Sequence, residues 1–90
     1  MAYADVQLEA PEAGLTANAG ADEFYRLGLI YSNGTDVPVD YIAAHKWFNL
    51  AAARGHDGGR LSREEMADMM DEREVKKALK AARLWLQKAN

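Results

Sequence analysis

The sequence predicts an all-α fold built as a short array of helical hairpins. Three observations carry this. Apolar residues recur at helical spacing in segment after segment, and turn residues separate the segments. A tryptophan motif also recurs, with Ala43-Ala44-His45-Lys46-Trp47-Phe48-Asn49 lying over Ala81-Ala82-Arg83-Leu84-Trp85-Leu86-Gln87. Two small residues, a polar residue, tryptophan, a large apolar residue and an amide thus come back after about 38 residues, a helical-repeat period.

Residues 1–20 read as an irregular lead-in, punctuated by Pro11, Gly14 and Gly20, with Val6, Leu8 and Leu15 as its aliphatic side chains. Residues 21–90 read as one helical-repeat domain. The first helix is expected from about Ala21 to Asn33. Phe24, Leu27, Gly28 and Tyr31 share one face, Asp22 and Glu23 sit in the first turn, and Asn33-Gly34 supplies the C-cap. Gly28 costs a helix about 1 kcal/mol relative to alanine, which a close approach of a second helix would offset. Tyr25 and Leu29 fall off the core face, where they are the expected partner contacts.

The loop from Gly34 to Asp40 carries turn chemistry, and Asp40 is a good N-cap. Asp36 and Asp40 are too few oxygen ligands for a calcium loop. The second helix is expected from about Tyr41 to Arg54. Ala44, Trp47 and Ala51 form its stripe, widened by Phe48 and Ala52, and Gly55 ends it. Asp57-Gly58-Gly59 reads as a poor helix interior. The third helix is therefore expected to start at Ser62 or slightly earlier, with Ser62 and Glu65 as a capping box and with Met66, Met69 and Met70 facing inward. The fourth starts after Asp71 and buries Val75, Ala78, Leu79, Ala82, Trp85 or Leu86, and Ala89.

Chemistry is sparse. There is no cysteine, which removes disulfides and thiolate sites. His45 is expected on the polar side of its helix, and His56 follows a helix-ending glycine. Eleven residues apart, they do not form a metal motif. Ser32 and Ser62 lack a nucleophile-elbow context. Gly55, Gly58 and Gly59 lack the lysine and strand of a phosphate loop. Glu64, Glu65, Asp68 and Asp71 read as a solvated charged face. No catalytic, cofactor or metal residue is expected.

Net charge is −3, which argues against nucleic acid. The charge is uneven: residues 57–74 hold seven acids and three bases, while residues 75–90 hold five bases and no acid. Lys76, Lys77, Lys80, Arg83 and Lys88 leave contact with an anionic surface as a minor alternative. The N-terminus lacks the basic start and apolar core of a signal peptide, and no apolar run reaches the ~20 residues of a membrane helix, so a cytoplasmic protein without membrane insertion is expected.

One long pattern remains: Leu27-Gly28, Tyr31, Gly34, Val37, Asp40, Ala44, Trp47-Phe48, Ala51-Ala52 and Gly55-His56. It closely resembles the Sel-one-like repeat, a helix–loop–helix unit related to the tetratricopeptide repeat. It covers residues 21–56, departing at Asp36, where the family usually has glycine. Residues 57–90 resemble a degenerate capping repeat through Ala82 and Trp85. The resemblance implies an α/α superhelix whose signature residues are structural. It also implies a non-enzymatic adaptor that binds a protein or peptide, often in bacterial signalling or envelope processes. A small-molecule-binding or enzymatic role is the weaker alternative. About one and a half repeats leave the stack uncovered at an end. A homodimer, a larger partner or the N-terminal segment folding back could cover it.

Overall fold

The most apolar helix of the chain lies at its centre. A computed structural model describes residues 10–89, which form α1 (Ala21–Asn33), α2 (Tyr41–Ala53), α3 (Asp57–Asp68) and α4 (Glu72–Lys88), an all-α helical-repeat fold. α1, α3 and α4 each pack against α2. Six of the α2 residues are buried, Ala44, His45, Trp47, Phe48, Leu50 and Ala51, because neighbours cover more than one of its faces. The expected lead-in at residues 1–9, with Val6 and Leu8, lies outside the described residues.

The first hairpin closes on aromatic packing. Phe24 stacks on Trp47 with ring centroids 6.0 Å apart, and Leu27, Leu50 and Ala51 complete the core around them. Gly28 is the point of closest approach: a Cβ there would lie 2.4 Å from carbons of the Phe48 ring. The helix-propensity cost of Gly28 is therefore offset by packing. Gly34 ends α1 in the left-handed conformation at φ 70°. Asp36 also has positive φ, 61°, so the chain keeps a glycine-like backbone here without the glycine. Asp40 caps α2 by accepting from the Ala43 N–H at 3.0 Å.

α3 starts five residues before the expected Ser62. Its N-cap is His56, whose Nδ1 accepts the Gly59 N–H at 2.8 Å. The glycines that argued against a helix are what lets this one dock. A Cβ on Gly59 would stand 2.8 Å from the Ala51 Cβ and 3.1 Å from the Phe48 carbonyl oxygen. Tertiary closeness thus outweighs a propensity cost of about 1 kcal/mol per glycine. Ser62 lies inside the helix rather than capping it.

α4 opens with the expected cap, in which Asp71 and Glu74 exchange backbone-to-carboxylate hydrogen bonds of 3.0 and 2.8 Å. It buries Ala78 and Ala82, and Trp85 sets its edge against Trp47 at 5.1 Å and Phe24 at 5.6 Å. The core position left open between Trp85 and Leu86 belongs to Trp85. Leu79, expected inside, is 41 % exposed, as α4 meets α2 along a narrow stripe of small residues.

Residues 10–20 run back over the hairpin. Leu15 packs on the core and Ala19 is buried. The Tyr31 hydroxyl donates to Glu12 at 2.7 Å, and the Arg54 guanidinium donates to the Ala17 and Ala19 carbonyls at 2.7 and 3.1 Å. Of the three covers expected for the stack, the folded-back segment is present in the chain itself.

Candidate interaction surface

An open groove of about 320 Å³ runs between the end of α1, the start of α2 and the length of α3. α1 contributes Leu29, Ser32 and Asn33; α2 contributes Tyr41 and Phe48; α3 contributes Ser62, Glu65 and Met66, together with its C-cap, Met69. Leu29 is 36 % exposed and Met69 57 %. Each lining residue follows from helix geometry. Leu29 and Ser32 are three apart on α1, Tyr41 and Phe48 seven apart on α2, and Met66 and the C-cap Met69 three apart at the end of α3. Glu65 is the charged side chain of the lining, and Glu64 and Asp68 are exposed on the same helix.

This placement corrects the inward reading of the methionines. Met66 and Met70 are half-buried and Met69 is exposed. α3 packs chiefly on α2, through a single fully buried residue, Gly59, and not broadly on α4. The apolar side chains that a closed second hairpin would bury therefore stay open.

The two expected contact residues part company. Leu29 lies in the groove. The Tyr25 ring is engaged within the chain, 4.3 Å from the His56 ring in a stacked arrangement and 5.6 Å from Phe48. Tyr25 thus joins α1 to the N-terminus of α3.

His45 is also corrected. It is 2 % exposed rather than on a polar face, and its Nδ1 has no hydrogen-bond partner among the described residues. Tyr41, His45, Phe48 and Ala52 form one stripe of α2 directed toward α3. Burial, and then the Arg63 guanidinium, hold the His45 imidazole below its ordinary value of 6.5. Arg63 itself donates to the Asn49 Oδ1 at 2.8 Å. On the opposite side of the hairpin, burial and then Glu12 push the Tyr31 hydroxyl above its ordinary range. Burial lowers Lys46 against the opposing pull of Glu12 and Asp40, while its ammonium lies 4.3 Å over the Trp47 ring.

The signature residues Leu27, Gly28, Tyr31, Gly34, Asp40, Ala44, Trp47, Ala51, Gly55 and Trp85 all serve packing, turns or caps. Gly55 closes α2 at φ 87°. Among the described residues no cluster of acidic residues or histidines has a metal-holding arrangement, and no helix is long and apolar enough to cross a membrane.

The sequence model of the Sel1 repeat matches residues 25–56 and again residues 65–90. The chain belongs to the Sel1 repeat family. The second match reaches back into α3, beyond the Ala82 and Trp85 core on which the sequence reading rested. Neither the curated proteins nor the solved structures contain a match to the chain. Sel1 repeats generally mediate protein–protein interaction. Against that background the groove stands out because the packing that explains the signature positions does not account for its exposed Leu29 and Met69. Sequence reasoning found Leu29 by its departure from the core stripe. It missed Met69 because spacing alone does not show which face of α3 is covered.

Proposed function

We propose that the chain is a non-enzymatic adaptor that holds an apolar segment of a partner protein in the groove between α1, α2 and α3. The carrying observation is the exposure of Leu29 and Met69, with half-buried Met66 beside them above Phe48, on a surface that the described residues leave uncovered. Unbranched methionines adapt to differently shaped side chains. Glu65 in the lining, with Glu64 and Asp68 beside it, favours a segment that carries lysine or arginine next to its apolar anchors.

Selection from a random-peptide phage library at pH 7.5 tests this. Peptides enriched on the wild type should combine apolar anchors with a basic residue, and should lose at least about tenfold in affinity on the Leu29→Asp/Met69→Asp variant. Glu65→Lys should shift the selected charge from basic to acidic. Equal binding to the groove variant would refute the site. A second reading is self-association, favoured by Leu79, Leu84 and Leu86, which are exposed on the basic α4. Sedimentation at two concentrations separates it from capture of a foreign segment.

A further inference from the structure

One wall of the groove is attached differently from the other two. α1 and α2 share the aromatic core, whereas α3 has one fully buried residue, and that residue is a glycine. Helices held by few buried apolar contacts are the ones that open locally. The contacts that fix α3 depend instead on two histidines, one at its N-terminus and one facing its middle.

At the N-terminus, His56 Nδ1 must keep a lone pair to accept the Gly59 N–H at 2.8 Å. A doubly protonated ring cannot make this cap. The facing groups from α1 are Tyr25, stacked on the ring, and Asp22, whose Oδ1 lies 3.3 Å from Nε2. The Asp22 side chain is 98 % exposed, so this contact adds little to holding α3 in place. Within α3, Asp57 follows directly and belongs to the first turn.

Facing the middle of α3, His45 is almost fully buried with an unpartnered Nδ1. The charged group that α3 directs at it is Arg63, a cation. Its α2 neighbour Lys46 lies over the Trp47 ring, with Glu12 and Asp40 as its facing acids. A proton on His45 would therefore place a second positive charge in a buried site with no anion in contact among the described residues.

We infer that α3 is a pH-released latch: buried His45 lets it dock on α2 while the ring is neutral, and mild acid frees it and dismantles the groove. This rests on the groove as the binding site for its consequence, but not for its mechanism. The sign follows from linkage. The unfolded or released chain lets His45 titrate near 6.5, and the docked state holds it lower. The docked state therefore binds fewer protons, so docking is complete above that value and is lost progressively as the pH falls below it.

Hydrogen exchange without any partner tests the latch, comparing pH 7.5 with pH 5.5, where carboxylates remain ionised. After correction for intrinsic rates, α3 amides of the wild type should open more at pH 5.5, by up to about tenfold, the limit for one proton at one pH unit below the ordinary histidine value. The α1 and α2 core amides should change less. His45→Leu with His56→Asn, which removes the buried imidazole while asparagine keeps an N-cap acceptor, should flatten that response. An unchanged α3 at pH 5.5, or the same acid response in the double variant, would overturn the latch. Should the double variant fail to fold, titration of the wild-type ring by NMR decides: His45 must titrate below its ordinary value together with α3 amide shifts, and a normal or raised midpoint refutes the idea. Because these readouts use no ligand, a failed latch leaves the groove standing, and a failed peptide selection leaves the latch standing.

Discussion

The two hairpins of this chain use the same repeat motif and reach different ends. In the first, α1 and α2 close on each other around Phe24, Leu27 and Trp47, with Gly28 pressed against Phe48. In the second, α3 and α4 both turn to α2 and have little contact with one another. The equivalent tryptophans show the difference directly. Trp47 is fully buried, whereas Trp85 is half-buried and lies edge-on against it. A helix that can satisfy its apolar face on a neighbour already in place need not pair with its own hairpin partner. The second repeat therefore spends its apolar surface on capping the first and leaves an open groove beside α3.

The largest test of this contrast is the tryptophan pair. Trp47→Ala should cost about 3–5 kcal/mol, a loss that leaves a domain of this size at or beyond the edge of folding. Trp85→Ala should cost roughly half as much, since less of the ring is removed from water. Denaturant midpoints with equal slopes measure both, and equal losses would mean that the two hairpins are energetically alike.

The glycine pair comes next. Gly28→Ala forces a methyl into the Phe48 ring and should destabilise the whole domain by about 1–3 kcal/mol. Gly59→Ala meets the Ala51 side chain and the Phe48 carbonyl, but should loosen α3 more than the rest. Hydrogen exchange should show global opening for the first and opening confined to α3 for the second. A uniform response to Gly59→Ala would show that α3 belongs to the same cooperative unit as the core.

The smallest effect belongs to the loop of the first hairpin. Asp36 occupies a left-handed conformation that favours glycine. Asp36→Gly relieves that strain and adds some freedom to the unfolded chain, so a net gain of roughly 0.5 kcal/mol is expected in thermal unfolding. A loss larger than that would show that the Asp36 side chain holds the loop in place.

Much of the fold was legible in the sequence because its determinants are local. The α1 boundaries, the Gly34 and Gly55 caps, the Asp40 and Asp71 N-caps and the repeated tryptophan depend on residue types at fixed offsets. The site was less legible. Leu29 was visible as an apolar residue off the core stripe. Tyr25 looked the same in sequence, yet its ring is taken up by His56, a partner 31 residues away that no periodicity reveals. The methionines and His45 were misplaced for a related reason. Spacing tells which residues share a face, and only the neighbouring helix decides whether that face is covered.

The sequence by itself determined four helical segments, the repeat, the ends of α1 and α2 and the cap of α4, as these rest on backbone preference and on one helix seen alone. The tertiary structure decided that Gly58 and Gly59 belong to a helix, since the gain comes from contact with α2 rather than from propensity. It also decided which leucines and methionines stay in water, and that a buried histidine faces a cation across α2 and α3. Those outcomes depend on distances between segments far apart in the chain, where the energy of packing exceeds the local preference of any one residue.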